Sequence, residues 1–541
     1  MPQSKRKSVP KLSKRPDLDL SNALKTLDRL KEPGYGIHPS EGENFNHTLF
    51  ARDSAISARQ LIGHDPTIAR ETILALASRQ GTALIPNVDE EPGKIHHEDR
   101  DMSQWKASFS NKIMRSALSV IWGGNPSKMM TYFSMDSTPL YLLLVSDYTV
   151  YDASILDEKV TLRDNTTISI ADSLETAADW MVSHQTHDKL IEIPRHNRYG
   201  LTHQTWKDSL TGYIHENGNS LNLSQPIAYL EVQALVVDGL IRTADTLKKR
   251  LPEKAQAWKK TAADITRATL HDFWDEGNQY FNSTIDRDKN GERRRNGVEQ
   301  SDPGWLLNTV IFDNLAEADR KKYVSGIVNK LFSADFLTDA GIRSRSLEYA
   351  DVLNVTDYHG SLTTWPIDTY MIAQGLRRQG LAKLADQLET RIINSINISG
   401  DFYEFFFVDK DGTVIVNLNQ AKEKRKGAKT WAVQFLPDKG FGWTVVADIM
   451  IKVRRKSPWA PVPQKTWNRS LERDILNKIT NISPITTRQE LKKLLNIDAG
   501  IHLSTFKGKI KTISDLFEAF HPRLNRRAKK LSAHALKTHR I

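Results

Sequence analysis

Apolar residues recur at every third and fourth position through most of the chain between residues 46 and 452. This spacing places them on one face of an α-helix, so the pattern predicts a series of amphipathic helices. Several of these segments start with Ser, Thr, Asp or Pro, the residue types that helix N-termini prefer. The predicted helices cover residues 48–62, 66–80, 137–147, 173–184, 226–250, 252–274, 305–312, 318–331, 365–379, 381–393 and 430–453.

Strand patterns are rare by comparison. Residues 400–415 include the run FYEFFFVDKDGTVI, which predicts a β-hairpin that turns at Asp411 and Gly412. Because the helical segments follow one another without a strand–helix–strand alternation, we expect an all-α fold. The number and length of the helices favour an (α/α)6 toroid of paired helices. An α-solenoid is the competing architecture, but the chain shows no fixed repeat period.

Composition divides the chain into three parts. Residues 1–25 are rich in Lys, Ser and Pro, and we expect them to form a flexible basic arm. Residues 26–455 form the predicted helical domain. Prolines at positions 458, 461 and 463 then break the pattern, and residues 456–541 are expected to form a small basic helical appendage. Within it, residues 483–495 and 511–520 read as amphipathic helices.

Several classes of protein are excluded by composition. The chain has no cysteine, so it forms neither disulfide bonds nor thiolate metal sites. Its N-terminus lacks the apolar segment of a secretory signal. No stretch approaches the roughly 20 apolar residues that span a bilayer. The sequence therefore predicts a soluble, cytoplasmic protein that does not associate with membranes.

The net charge of +11 is concentrated at the C-terminal end, where residues 456–541 hold 18 Lys and Arg against 6 Asp and Glu. Basic tails can bind polyanions such as nucleic acid. However, no zinc-finger spacing, RNP-type motif or aromatic-interleaved basic strip accompanies this tail. We therefore favour a solubilising or packing role over nucleic-acid binding, and the sequence leaves the oligomeric state open.

The most informative chemistry lies in residues 203–235. Asp208 follows Trp206 and Lys207 in the motif WKDS. Burial beside an aromatic ring raises the pKa of a carboxyl group because it disfavours the charged form, and the general acid of a glycosidase needs such a pKa. Glu231 and Gln233 follow in a helical segment whose apolar neighbours indicate burial, although a solvated face is the alternative.

Other polar clusters fall at loops and helix starts: Arg52 with Asp53, residues 90–98 ending in Glu98, Tyr132 to Asp136, Tyr358 and His359 with Trp365, and Glu404. Each has a plainer interpretation, such as a surface ion pair for the first and a helix cap for Asp136. Glu404 lies between two aromatic residues in a strand pattern, where burying a carboxylate is costly without a function. His97 and Glu98 lack an HEXXH motif or a third ligand, so no metal site and no cofactor is predicted.

The collinear order of these motifs resembles a known family. RDS, EEPGKIHHE, YFSMDSTPL, WKDS, PIAYLEVQAL, YHGS and WPIDT occur in the order of bacterial amylo-α-1,6-glucosidases, relatives of the glucosidase half of glycogen debranching enzymes. The resemblance covers residues 35–455 and implies a six-hairpin, glucoamylase-like glycoside hydrolase. Such enzymes release terminal glucose from α-glucosides with inversion and without a cofactor.

The resemblance also implies roles for individual residues. Asp208 matches the general acid, and Glu404 is the best match to the general base, although the family usually reads Pro-Glu-Leu-Phe there. Arg52 and Asp53 match the pair that grips the non-reducing sugar. The remaining predicted substrate-binding residues are Glu98, Tyr132, Asp136, Trp206, Glu231, Gln233, His359 and Trp365. An inverting mechanism requires about 6.5–9.5 Å between the two catalytic carboxyls.

Three alternatives stay open. The first is a hydrolase of a small compatible-solute glycoside (glucosylglycerate, mannosylglycerate or trehalose), in which Lys207 or Lys94 would hold a substrate carboxylate. The second is a phosphorylase, which would replace the base and water by phosphate. The third is a non-catalytic toroid that binds glycans. The expected partner in each case is an oligosaccharide or a small glycoside.

Overall fold

The computed structural model describes residues 19–122, 127–353, 357–415, 436–457 and 466–479. Fourteen α-helices lie within these ranges. In chain order, α1 to α14 are Ser21–Leu30, Ala51–Leu61, Pro66–Ala77, Phe109–Ile121, Ser137–Tyr151, Ile170–Ser183, Leu230–Leu247, Pro252–Asp272, Pro303–Leu306, Glu317–Leu331, Pro366–Arg378, Ala382–Ser399, Gly442–Lys456 and Thr466–Ile479.

Six of these helices form a closed inner ring. Each of α2, α5, α7, α9, α11 and α13 packs against the next, and α13 packs back onto α2. A second helix covers each member of the ring from outside: α3, α6, α8, α10, α12 and α1, in the same order. This arrangement is an (α/α)6 toroid, so the predicted fold class is confirmed.

The position of a helix in the toroid explains its sequence. Inner helix α5 is buried on nearly every side and therefore carries the continuous apolar run from Leu140 to Val145. Outer helix α8 buries one stripe, formed by Ala255, Trp258, Ala262 and Ile265, and exposes its charged face. Periodicity thus separates the two layers, because an inner helix needs no polar face.

Short strands occupy the loops. Strands β1 to β17 are Lys31–Glu32, Gly36–Ile37, Thr48–Phe50, Glu98–Asp101, Lys128–Thr131, Lys159–Thr161, Thr167–Ser169, Ala228–Tyr229, Trp274–Asp275, Tyr280–Phe281, Thr284–Arg287, Arg293–Arg295, Leu337–Thr338, Gly341–Ile342, Thr363–Thr364, Phe406–Val408 and Val414–Ile415. Three antiparallel three-stranded sheets have the orders β3-β4-β5, β12-β11-β8 and β15-β16-β17. Strands β3, β8 and β15 lead directly into inner helices α2, α7 and α11, so these sheets lie at one end of the toroid.

The structure departs from the predicted elements at several places. The helices predicted to start at residues 48 and 226 start at Ala51 and Leu230, because the preceding residues pair into sheets. Helix α1 begins at Ser21, inside the segment expected to be a flexible arm, and packs on α13. Helix α4 was not predicted. The hairpin at Gly412 is confirmed by the pairing of β16 with β17.

Two further expectations concern the ends of the chain. The amphipathic helices predicted at residues 483–495 and 511–520 lie outside the described residues, whereas α14 belongs to the predicted appendage and packs on α10 and α12. Among the helices that the structure does describe, none combines the length and the apolar composition needed to cross a bilayer.

Close packing of α9 on α11 depends on glycine, which leads to a stability prediction. A Cβ atom on Gly375 would lie 2.6 Å from Leu307 Cβ and 2.8 Å from the backbone nitrogen of Asn308. Gly375→Ala should therefore lower the free energy of unfolding by about 1–3 kcal/mol through overpacking. Gly63→Ala is the matched control, since nothing lies within 4 Å of its Cβ position. Denaturant unfolding of both variants would contradict the packing argument if their stabilities were equal.

Candidate active site

The N-terminal ends of the inner helices meet at the end of the toroid that carries the three sheets. Five of the six have an acidic residue in the cap position or the first turn: Asp53 on α2, Asp136 on α5, Glu231 on α7, Asp302 on α9 and Asp368 on α11. Helix N-termini carry a partial positive charge, which stabilises nearby carboxylates. The closed ring therefore concentrates acidic groups in one region.

Asp208 is the most solvent-exposed residue of a mostly buried ion-pair group that also contains Arg52 and Asp136. Arg52 donates from Nη1 to Asp208 Oδ2 at 3.3 Å, from Nε to Asp136 Oδ2 at 2.7 Å and from Nη2 to the Thr205 carbonyl at 2.8 Å. The Asp208 side chain is 26% exposed, against 6% for Arg52 and 1% for Asp136. Burial raises the pKa of Asp208 to about 6, although the charge of Arg52 opposes this increase.

Glu404 is a second carboxyl group, held by a different set of contacts. The Tyr358 hydroxyl donates to Glu404 Oε1, and the Asp438 backbone N–H donates to Oε2 at 3.4 Å. The Trp443 indole donates to the Glu404 carbonyl at 3.1 Å, which fixes the backbone. Burial raises the pKa of Glu404 well above its usual range, whereas the hydrogen bond from Tyr358 lowers it.

Asp53 links these two carboxyl groups electrostatically. It is buried, and burial raises its pKa to about 7, while Arg52 lowers it and the charge of Asp208 raises it further. The charge of Asp53 in turn raises the pKa of Glu404. Asp53 therefore lies within electrostatic reach of both Asp208 and Glu404.

An aromatic cluster connects the loop of Asp208 to the strand that follows Glu404. The ring of Trp206 stacks on Trp305 at 5.5 Å and meets His359 edge-on at 5.5 Å. Trp365 stacks on His359 at 4.6 Å and on Phe405 at 4.9 Å. Trp206, His359 and Trp365, all predicted site residues, are thus brought together next to both carboxyl groups.

Polar contacts tie the same two segments together. His359 Nδ1 lies 3.0 Å from Ser209 Oγ, one residue beyond the acid. Arg345 is buried, pairs with Asp357 Oδ2 at 2.8 Å and also donates to the Thr211 carbonyl at 2.5 Å. The loop after Asp208 and the loop before Tyr358 are therefore held by one guanidinium group.

Lys207, the residue before Asp208, is enclosed by the protein. Its Nζ is fully buried and donates to Asp302 Oδ2 at 3.0 Å and to the Ser344 carbonyl at 2.7 Å. Lys94 is buried as well and donates to the Asp89 carbonyl at 3.0 Å. The suggestion that either lysine holds a substrate carboxylate is therefore wrong, because both ammonium groups are enclosed by protein acceptors.

Glu231 belongs to the layer beneath Trp206. It accepts a hydrogen bond from the Tyr213 hydroxyl at 2.7 Å and is completely buried. Burial, followed by the charge of Asp302, raises the pKa of Glu231 to about 8. The Trp206 indole donates to Asp302 at 3.0 Å, so the buried carboxyl group of Asp302 helps to fix the position of the Trp206 ring.

Two predicted site residues have structural contacts instead. Tyr132 is fully buried, donates its hydroxyl to the Arg79 carbonyl at 2.7 Å and packs in a separate apolar cluster. The side-chain amide of Gln233 is bonded to the backbone of Ile191. Its oxygen accepts from the Ile191 N–H and its nitrogen donates to the Ile191 carbonyl, each at 2.8 Å. The structure assigns both residues to the scaffold, since their polar atoms are already bonded.

Glu98 and Arg52 also differ from their predicted roles. Glu98 lies opposite Phe50 in the β3–β4 pair and forms an ion pair with Arg100 at 2.6 Å. Arg52 was expected to grip a sugar, but its guanidinium group is committed to protein acceptors. Its Nη1 donates directly to Asp208 Oδ2, so in this structure Arg52 holds the carboxyl group of Asp208.

Three residues of the site were not singled out from the sequence as site residues. Tyr358 precedes His359 in the motif YHGS, and this position next to a predicted site residue could have identified it. Asp302 precedes Pro303 at the start of α9, a pattern typical of a helix cap. Asp438, which approaches Glu404 through its backbone, had no signal in the sequence. Within the described ranges, no group of three His, Asp or Glu residues is arranged to hold a metal ion.

Comparison with known proteins identifies the family. A family model described as the mannosylglycerate hydrolase MGH1-like glycoside hydrolase domain matches residues 49–413. The match spans more than half of the chain and includes Asp208 and Glu404. A sequence search of curated proteins finds no significant match.

Solved structures share the fold at low sequence identity. The GH63 mannosylglycerate hydrolase from Thermus thermophilus in complex with glucose has a TM-score of 0.52 at 14% identity, covering 80% of this chain and 98% of that chain. Its complex with Tris and D-glycerate has a TM-score of 0.51 at 13% identity, with coverages of 80% and 99%. An uncharacterized conserved protein from the same organism gives a TM-score of 0.51 at 14% identity, with coverages of 80% and 99%.

The resemblance drawn from the sequence is confirmed at the level of the six-hairpin glycoside hydrolases, but not for amylo-α-1,6-glucosidase in particular. The chain belongs to the mannosylglycerate hydrolase MGH1-like glycoside hydrolase family and is an enzyme that acts as a glycosidase.

Proposed function

We propose that this enzyme hydrolyses a small glycoside with inversion, using Asp208 as general acid and Glu404 as general base. The observation that carries the proposal is the difference between the two carboxyl groups. Asp208 is partly exposed, with its pKa raised to about 6, whereas Glu404 is enclosed and bonded to a hydroxyl donor. Pairs of carboxyl groups with contrasting environments are typical of acid and base assignments in glycosidases.

The surroundings of Asp208 suit a general acid. A carboxyl with a pKa of about 6 is about one-tenth protonated at pH 7, roughly a hundredfold more than an ordinary Asp, and its protonated form can deliver a proton to the departing glycosidic oxygen. The contact with Arg52 holds one oxygen, Oδ2, so that the other is directed away from the guanidinium group. When Asp208 becomes ionised after proton transfer, Arg52 stabilises the charge that appears.

The surroundings of Glu404 suit a base that must become negative. Burial opposes ionisation and keeps the pKa of Glu404 well above its usual range, and the hydrogen bonds from the Tyr358 hydroxyl and the Asp438 amide offset part of that increase. Tyr358 occupies Oε1, while the Asp438 amide is the longer contact to Oε2. Oε2 is therefore the oxygen that would accept a proton from the attacking water.

For the substrate, we propose a glycoside of the mannosylglycerate or glucosylglycerate type. Support comes from the family description and from the similar structures, which are those of a mannosylglycerate hydrolase. Release of glucose from α-1,6-linked oligosaccharides, the activity of amylo-α-1,6-glucosidases, is the second candidate. The sequence motifs quoted above favour it.

A substrate panel tests the proposal. The purified chain would be incubated with mannosylglycerate, glucosylglycerate, trehalose, kojibiose, isomaltose and panose, and free hexose would be measured. Proton NMR of the first product anomer would show β-hexose from an α-glycoside if the mechanism inverts. Release that requires phosphate would indicate a phosphorylase, and no release from any substrate would support a binding protein instead.

Loss of either catalytic carboxyl should abolish most turnover. Asp208→Asn and Glu404→Gln are each expected to lower kcat by at least about 10²-fold, the usual scale for acid or base assistance. Asp411→Asn, at the exposed turn of the β16–β17 hairpin, is the control and should retain activity. A purified variant with near wild-type kcat would remove its residue from the proposed role.

Tyr358→Phe should shift the pH dependence of the reaction. Since the hydroxyl lowers the pKa of Glu404, its loss raises that pKa, and Glu404 then ionises at higher pH. The acidic limb of the kcat/KM profile should move upward, and kcat should fall about tenfold, as expected for a lost hydrogen bond to a charged group. Tyr403→Phe is the matched control. An unmoved limb would argue against Tyr358 as a support of the base.

Arg52→Met tests the basic limb of the kcat/KM profile against pH. The charge of Arg52 lowers the pKa of Asp208, so its removal should raise that pKa, and Asp208 should keep its proton to higher pH. The basic limb of the profile should move upward while kcat falls, because the carboxyl loses its support. Arg52→Lys retains the positive charge, and the basic limb of its pH profile should stay closer to that of the wild type. Identical limbs in both variants would contradict the electrostatic role.

A further inference from the structure

Asp357 is a buried carboxylate whose two oxygens are bonded to different partners. Oδ2 accepts from Arg345 Nη1 at 2.8 Å, and Oδ1 accepts from the Thr211 hydroxyl. The side chains of Asp357 and Arg345 are 4% and 1% exposed, and no step of the proposed reaction uses either of them. A buried ion pair is costly to desolvate and contributes little net stability, so its place beside the site points to a positioning role.

The guanidinium group of Arg345 joins Asp357 to the turn that follows Asp208. Its Nη2 donates to the Thr211 carbonyl at 2.5 Å, while Nη1 holds Asp357. The backbone of Arg345 is itself fixed by a β-bridge to Gln300. Because the guanidinium group is planar and its donors have a fixed geometry, it holds the two segments at a set distance from each other.

Asp357 immediately precedes Tyr358, the residue whose hydroxyl donates to Glu404. The two residues share one tight turn, in which the Gly360 N–H donates to the Asp357 carbonyl at 3.2 Å. A Cβ atom on Gly360 would lie 2.6 Å from Asp357 Cβ, so this turn is closely packed. The Trp365 indole donates to the Tyr358 carbonyl at 3.2 Å. The position of Asp357 therefore sets the point from which the Tyr358 ring extends toward Glu404.

We infer that Asp357 and Arg345 are positioning residues for the proposed general base. They hold the turn of Tyr358 so that its hydroxyl stays on Glu404, and they fix that turn against the one that follows Asp208. The inference rests on the proposed function, in which Glu404 activates the water. Since a hydrogen bond weakens steeply once its geometry is lost, a shift of the turn would remove support from the base.

The pKa of Glu404 distinguishes positioning from a simple effect of charge. The hydrogen bond from Tyr358 lowers that pKa, whereas burial and the charges of Asp438 and Asp53 raise it. Displacement of Tyr358 should therefore raise the pKa of Glu404 further. Removal of the negative charge of Asp357 would by itself lower that pKa, because a nearby anion disfavours ionisation. An upward shift therefore reports the lost hydrogen bond.

Asp357→Asn keeps the shape of the side chain and removes its charge. It should lower kcat about tenfold, the scale of a lost hydrogen bond to a charged group, and leave KM within about twofold. The acidic limb of the kcat/KM profile against pH should move upward, as in Tyr358→Phe. In the Tyr358→Phe background, Asp357→Asn should change kcat by less than about twofold, because both changes remove the same contact. Additive losses or an unmoved acidic limb would overturn the inference.

Thr211→Val provides a milder second variant. It removes the hydroxyl that donates to Asp357 Oδ1 and leaves the ion pair with Arg345 in place, so no buried charge loses its partner. The acidic limb should move in the same direction as in Asp357→Asn, by a smaller amount. This variant tests the inference even if Asp357→Asn does not fold, and an unmoved limb in folded Thr211→Val would overturn it.

Glu389→Gln is the matched control for lost stability. Like Asp357, Glu389 is a buried carboxylate that pairs with an arginine, Arg377, here at 2.9 Å, but it lies on outer helix α12. Its substitution should reduce the resistance to denaturant unfolding, because it leaves a buried cation without its partner. It should leave kcat and the acidic limb unchanged. The same upward shift in Glu389→Gln would show that lost stability explains the effect and would overturn the inference.

An infrared measurement separates the inference from the proposed function. The carboxyl stretching band of Glu404, identified as the band that Glu404→Gln lacks, would be followed against pH in the full chain without substrate. A higher midpoint in Asp357→Asn than in the wild type would support the positioning pair even if no glycoside were hydrolysed. Hydrolysis that depends on Glu404, together with an unmoved midpoint, would overturn the pair and leave the proposed function standing.

Discussion

The closed ring of inner helices brings their N-termini to one end of the molecule, and the chemistry of the site depends on this constraint. Five of these ends carry a carboxyl group, and such a concentration of acid is costly to bury. Helix dipoles, Arg52 and Lys207 supply the compensating positive charge. Burial is the main cause of the raised pKa of Asp53 and of Asp208, and the charges of neighbouring carboxylates raise both further.

The two buried cations have different consequences. Lys207 neutralises Asp302, and removing one partner of such a buried pair typically costs about 3–5 kcal/mol. Arg52 contacts two scaffold groups, Asp136 and the Thr205 carbonyl, and also Asp208, the proposed general acid. Lys207 thus stabilises the fold, whereas Arg52 would also act on the proposed reaction.

Helical periodicity predicted the toroid, because each outer helix needs an apolar stripe and each inner helix a longer apolar run. The motif order also placed Asp208, Asp53, Trp206, His359 and Trp365 in one region. Helix α4 was not predicted although its sequence is amphipathic. Strands β3 and β8 escaped because their pairing partners are distant in sequence. The motifs alone could not distinguish Tyr132 and Gln233, whose polar atoms bond to the protein backbone, from residues that line the candidate site.

The attachment of Trp206 and Lys207 to a single carboxylate has a kinetic consequence. The two residues immediately before Asp208 both donate to Asp302: Trp206 through its indole N–H and Lys207 through its ammonium group. The backbone that carries Asp208, the proposed proton donor, is therefore held in place by the fold, so little ordering entropy would be lost on binding a sugar.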